Sequence, residues 1–141
     1  MTDFSFKFRP NKPGIQAVLG ELESQIMNWL WRNGEGTVRD VQNGLNAEPE
    51  PAYTTIMTVM SRLAQKGLLT KTKRSHAFLY RPAMTKPQFQ KNLMRKVMGS
   101  LLDSFGTPAL SHFVDAVHDE LPEKIDELAE LIEAKRQAGH E

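Results

Sequence analysis

The chain has 141 residues, a formal net charge of +1, 40% hydrophobic and 25% charged residues, which suits one ordinary domain or a small domain with an added association segment. It contains no cysteine, and this excludes disulfides, thiolate metal sites, iron–sulfur clusters and thiol nucleophiles together. Residues 1–14 lack the apolar run of a signal peptide, and no run of roughly eighteen apolar residues is long enough to span a bilayer, so a cytoplasmic protein without membrane insertion is expected.

Residues 1–18 alternate Phe4, Phe6 and Phe8 with Ser5 and Lys7, then break at Pro10 and Pro13-Gly14; the pattern allows an extended arm or a disordered one. From Leu19, the residues Leu22, Ile26, Met27, Trp29, Leu30 and Trp31 recur at helical spacing until Asn33-Gly34, with the tryptophans expected in the core. Thr37 is a good N-cap for a second helix with Val38, Val41 and Leu45 on one face, ending near Asn46 before the Glu48-Pro49-Glu50-Pro51 break. A third helix is predicted from Ala52 to about Lys66. Ile56, Val59, Met60 and Leu63 form its apolar stripe, while Thr54, Thr55, Thr58, Ser61, Arg62 and Gln65 form an outer face without a carboxylate.

Gly67 stands where a helix-ending glycine belongs, followed by a strand over Leu68 to Thr72, a polar turn over Lys73 to His76, and a returning strand over Ala77 to Arg81. Helix, helix, helix, ribbon is the winged-helix order. Thr85-Lys86-Pro87 then caps a helix of about twenty residues in which Phe89, Leu93, Val97 and Leu101 repeat at fours, with Met94 and Met98 beside them as apolar filler. A further helix carries Leu110, Phe113, Val114 and Val117, and a last one runs from Pro122 through Ile125, Leu128, Leu131 and Ile132. These helices hold more apolar face than a small domain can cover, and a two-fold dimer is the commonest outlet. The expected fold is therefore mostly α: an arm at 1–18, a winged helix-turn-helix of three helices and a two-stranded wing at 19–84, and a helical dimerisation segment at 85–141.

Charge is divided along the chain. Between Pro51 and Leu102 there are ten Lys or Arg residues and no Asp or Glu, and from Asp103 onward ten acidic residues face three basic ones. A one-signed stretch of this kind is the footprint of a surface that meets phosphate. Hydroxyls, amides and Arg62 on the third helix suit phosphate oxygens or base edges in a major groove, and Lys71, Lys73, Arg74 and His76 on the wing suit the flanking backbone. An enzyme is disfavoured, since no G-x-S-x-G, Walker or H-E-x-x-H motif is present. His112, Asp115, His118 and Asp119 can be assembled into a metal site only on paper, and a polar surface cluster is the preferred reading; no cofactor is expected. A winged helix that serves as a protein–protein adaptor is the alternative, opposed by the acid-free stretch.

The run Ala52-Tyr53-Thr54-Thr55-Ile56-Met57-Thr58-Val59-Met60-Ser61-Arg62-Leu63-Ala64-Gln65-Lys66-Gly67-Leu68-Leu69, together with Leu19-Gly20-Glu21-Leu22-Glu23, Thr37-Val38-Arg39-Asp40-Val41 and Phe78-Leu79-Tyr80-Arg81-Pro82, resembles the BlaI/MecI family of penicillinase repressors. The resemblance implies a homodimeric repressor that binds double-stranded DNA at TACA/TGTA inverted repeats. It places Thr54, Thr55, Thr58 and Arg62 at or near the DNA; with the wing cations, the full expected DNA-binding set is Thr37, Tyr53, Thr54, Thr55, Thr58, Arg62, Lys71, Lys73 and Arg74. The dimer interface would then fall on Phe89, Leu93, Val97, Leu101, Leu110, Phe113, Val114, Leu128 and Leu131. In the beta-lactam branch of the family a membrane-bound sensor with a protease domain is linked to cleavage at an Asn–Phe bond in the dimerisation segment. The matching bond here is His112-Phe113, so the residue before Phe departs from the pattern. The cysteine cluster of the copper-responsive branch is absent.

Overall fold

The computed structural model describes residues Gly14–Ala17 and 19–139; Phe4, Phe6 and Phe8 of the expected arm lie outside them. The chain divides into two compact units, one ending at Lys91 and the other starting at Asn92. The first contains a 3-10 turn (Gly14–Ala17), α1 (Glu21–Asn33), α2 (Val38–Gly44), α3 (Tyr53–Gln65), β1 (Leu69–Arg74), β2 (Ala77–Pro82) and the start of α4 (Lys86–Phe105). The second contains the rest of α4, α5 (Thr107–Glu120), a 3-10 turn (Pro122–Lys124) and α6 (Ile125–Gly139).

The first unit is built around the stripes read from periodicity. Ile26, Met27 and Leu30 of α1, Val38 and Val41 of α2, and Ile56, Met60 and Leu63 of α3 are all buried, joined by Leu68, Leu69 and Tyr80 from the ribbon. Each such side chain withdrawn from water contributes about 1.5–3 kcal/mol before chain entropy is charged against it. Local signals set the helix ends. Thr37 Oγ1 accepts from the Asp40 N–H (3.1 Å) and Asp40 Oδ2 accepts from the Thr37 N–H (3.0 Å), a reciprocal capping box. Thr85 and Gln88 repeat this arrangement at the start of α4. At the end of α3, Gly67 takes φ +84°. Its N–H reaches Ala64 O (3.0 Å) and the Leu68 N–H reaches Leu63 O (2.9 Å), the paired bonds of a Schellman stop that puts buried Leu63 and Leu68 together.

The ribbon is antiparallel, with Leu69 opposite Pro82 and Arg74 opposite Ala77. The strands therefore run farther than Leu68–Thr72 and Ala77–Arg81, and the turn shrinks from the expected four residues to Ser75 and His76. Ser75 has φ +53°, the positive value that a two-residue hairpin demands at its first central position. A bridge missed by strand patterning adds Gly36 to the ribbon, its N–H and O bonded to Tyr80 O (3.0 Å) and N (2.9 Å). The Trp29 indole closes over this region. A Cβ at Gly44 would lie 2.0 Å from Trp29 Nε1 and one at Gly36 would lie 2.7 Å from Trp29 Cζ3, so both positions are reserved for glycine by close approach.

Both edges of the first unit differ from the expected 19–84. At the front, Ile15 is buried and accepts a bond from the Leu19 N–H (2.8 Å), which takes the core back into the segment read as an arm. At the back, Trp31 Nε1 donates to Met84 O (2.9 Å) and its ring meets Phe89 at 5.6 Å between centroids. Phe89, expected at a dimer interface, is completely buried. It belongs to the core of its own chain because the first turn of α4 packs on Trp31, and it has no surface left for a partner. Leu93 is likewise buried.

The second unit reaches its helices by a different balance. α4 ends at Gly106, whose N–H bonds Leu102 O (2.7 Å), and Pro108 starts α5 in the first turn, where its missing N–H costs nothing. Neither α5 nor α6 buries a single residue. Phe105 is 64% exposed and Leu131 62%, with Leu101, Leu110, Phe113, Val114 and Ile132 also exposed and Val97 and Leu128 half-buried. Among the described residues, no helix is long and apolar enough to cross a membrane.

Candidate nucleic-acid interface

The outer side of α3 follows directly from its periodicity. With Ile56, Met60 and Leu63 turned into the core, Thr54, Thr55, Met57, Thr58, Arg62 and Gln65 are exposed, and Ser61 is half-buried. α3 has no acidic residue in its first turn and Ala52 gives it no side-chain cap, so nothing in its own sequence offsets the positive end of the helix dipole. Thr58 Oγ1 donates to Thr54 O (2.9 Å), which holds that hydroxyl in place as an acceptor. Thr37 is partly committed too: its oxygen caps α2, and the hydroxyl hydrogen remains free to donate.

The ribbon divides the expected wing cations between two faces. By alternation and register, Lys71 and Lys73 share a face with Phe78 and Tyr80, whereas Arg74 shares the other with Thr70 and Thr72. Lys71, Lys73, Arg74 and His76 are all exposed. Among the described residues, Arg62, Lys71, Lys73 and Arg74 have no carboxylate within ion-pair distance.

Two cations of the acid-free stretch are not available in the same way. Lys66 Nζ lies 3.5 Å from Glu23 Oε2, and Arg81 Nη2 lies 3.0 Å from Glu35 Oε1. Both carboxylates come from outside the stretch, which is why counting along the sequence overstated its free charge. Conversely, Arg39 on α2 escaped that count. It is exposed, and its guanidinium carbon sits 5.0 Å from the centroid of the Tyr53 ring. The signal for it was present in the Arg39 of the Thr37–Val41 run, but it lies upstream of the stretch.

The expected interface residues of the second unit are exposed or half-buried apart from Leu93. His112 and Phe113 are exposed in the interior of α5. Their peptide bond is helical, and a protease could reach it only after local opening. His112, Asp115, His118 and Asp119 do not converge: among the described residues no three His, Cys, Asp or Glu gather to hold a metal. His118 Nδ1 instead lies 3.2 Å from the neighbouring Asp119 Oδ1 on an exposed helix surface.

A model of the penicillinase repressor family matches residues 19–134. Two relatives from Mycobacterium tuberculosis, both named transcriptional regulator BlaI and belonging to strains CDC 1551 / Oshkosh and ATCC 25618 / H37Rv, are each 38% identical over 125 residues, spanning 86% of this chain and 87% of their own. A solved structure, the DNA binding domain of the repressor BlaI in solution, is 25% identical with a TM-score of 0.44, covering 48% of this chain and 83% of that one. These relatives are regulators of transcription and not enzymes. With the match running from α1 into α6 and including the run Tyr53 to Leu69 from which α3 and its outer face are made, this chain belongs to the penicillinase repressor family.

Proposed function

We propose that this protein is a cytoplasmic, homodimeric transcriptional repressor that binds an inverted repeat in double-stranded DNA through α3 and its ribbon. The observation that carries the reading is the exposed face of α3, which has no carboxylate of its own, together with four cations, Arg62, Lys71, Lys73 and Arg74, that have no ion-pair partner among the described residues. Such a surface neutralises phosphate from the ribbon and offers hydroxyls and Arg62 to base edges. Thr54, Thr55 and Thr58 are the groove-facing set, with Thr37 and Tyr53 beside them. The dimer is supported by the exposed apolar side chains of α4, α5 and α6, of which Leu101, Leu110, Phe113, Val114 and Leu131 are the expected seam.

In a two-fold dimer the second half-site is engaged intramolecularly, so loss of the dimer removes most of the affinity without touching the DNA surface. Cleavage at His112-Phe113 by a sensor-linked protease is one way to cause that loss, and it requires α5 to open. The test is equilibrium binding of the intact protein to a duplex carrying a TACA/TGTA inverted repeat and to a scrambled duplex across a salt series. A preference of about a thousandfold with a steep salt dependence is expected. Equal, weak binding to both duplexes would return the adaptor reading.

A further inference from the structure

Two exposed aromatic rings in the first unit each carry a cation on their face. Tyr53, the first residue of α3, is 39% exposed and lies under Arg39; Phe78, on β2, is 44% exposed and has Lys71 Nζ 4.8 Å from its centroid. The elements that bring these cations, α2 and β1, both pack against α3. Neither cation has an ion-pair partner among the described residues. The same device therefore occurs twice on separate elements beside one helix.

A cation resting on a ring face loses conformational freedom before any ligand arrives, yet the ring occupies none of its N–H donors. The guanidinium keeps its edge free for a forked bond to phosphate. In a helix-turn-helix the helix preceding the recognition helix crosses the DNA backbone, and ribbon residues flank the groove, so both cations stand where phosphate is expected and base edges are not. Building on the DNA-binding reading above, we infer that Arg39 and Lys71 are phosphate clamps held ready by Tyr53 and Phe78, and that the two rings are positioning residues. Tyr53 then acts through its ring and not through its hydroxyl.

The experiment uses the intact protein with the repeat-bearing and scrambled duplexes across a salt series. Arg39→Ala and Lys71→Ala each remove one phosphate contact per protomer, two per dimer, so each should weaken both duplexes by a similar factor and lower the salt slope by about 1.8. Tyr53→Leu and Phe78→Leu should weaken both by about two- to fivefold with the slope unchanged, since the cation stays but is no longer held. Tyr53→Phe, which keeps the ring, should lose less than Tyr53→Leu, and Tyr53→Leu should add nothing once Arg39→Ala is present. An unchanged slope for Arg39→Ala overturns the inference, as does a loss in Tyr53→Phe equal to that in Tyr53→Leu, or full additivity in the double variant. A wild-type protein with no salt-dependent affinity for either duplex would instead sink the DNA-binding reading itself and this inference with it.

Discussion

The two units of this chain treat their apolar residues in opposite ways. The first turns Ile26, Met60, Leu63, Leu68 and Phe89 completely away from water, while the second leaves Phe105, Leu110, Phe113 and Leu131 largely in it. Both are made of amphipathic helices with similar spacing, so amphipathicity alone does not make a core. A core needs elements that close on each other. In the first unit α1, α2, α3 and the ribbon do so around a common centre, whereas α5 and α6 bury no residue at all. The first unit thus closes a core within itself, whereas α5 and α6 keep their apolar side chains at the surface.

The largest effect that could break this contrast is Phe89→Ala, which should cost about 3–5 kcal/mol in urea-induced unfolding because it opens a cavity beside Trp31. A loss below about 1 kcal/mol would place Phe89 on the expected interface after all, and not in the core. The corresponding change in the second unit, Leu131→Ala, should leave the unfolding of the first unit unaltered and weaken self-association by about 2 kcal/mol per protomer, read by sedimentation equilibrium. An unchanged association constant would remove Leu131 from the seam. The contrast is sharpened by glycine: Gly44→Ala pushes a methyl into Trp29 and should cost about 1–3 kcal/mol, whereas Gly99→Ala in α4, with nothing within 4 Å of an added Cβ, should be neutral or stabilising by thermal melting.

Helix positions, caps and the winged-helix order were legible because each depends on neighbours in sequence. Thr37 with Asp40, Thr85 with Gln88, and Gly67 after α3 are all short-range arrangements, and the structure realises them within a few residues. The Gly36–Tyr80 bridge was not legible, since a single-residue strand has no alternation to show. Nor was the docking of Ile15 or Phe89 visible, because a four-residue repeat identifies an apolar face without naming the surface that meets it. In the candidate site, Arg62 and the threonines were found by the absence of acids, a signal that also swept in Lys66 and Arg81 and passed over Arg39.

What the sequence determined by itself was therefore the local grammar: which segments are helical, where they stop, and which side of α3 is free of negative charge. Tertiary structure decided which of the cations remain free, bringing Glu23 to Lys66 and Glu35 to Arg81 across 43 and 46 residues and placing Tyr53 under Arg39. It also decided which apolar stripes become core. The reason is the same in both cases: charge pairing and burial act across space at a few ångströms, and residues that meet at that range here are far apart along the chain.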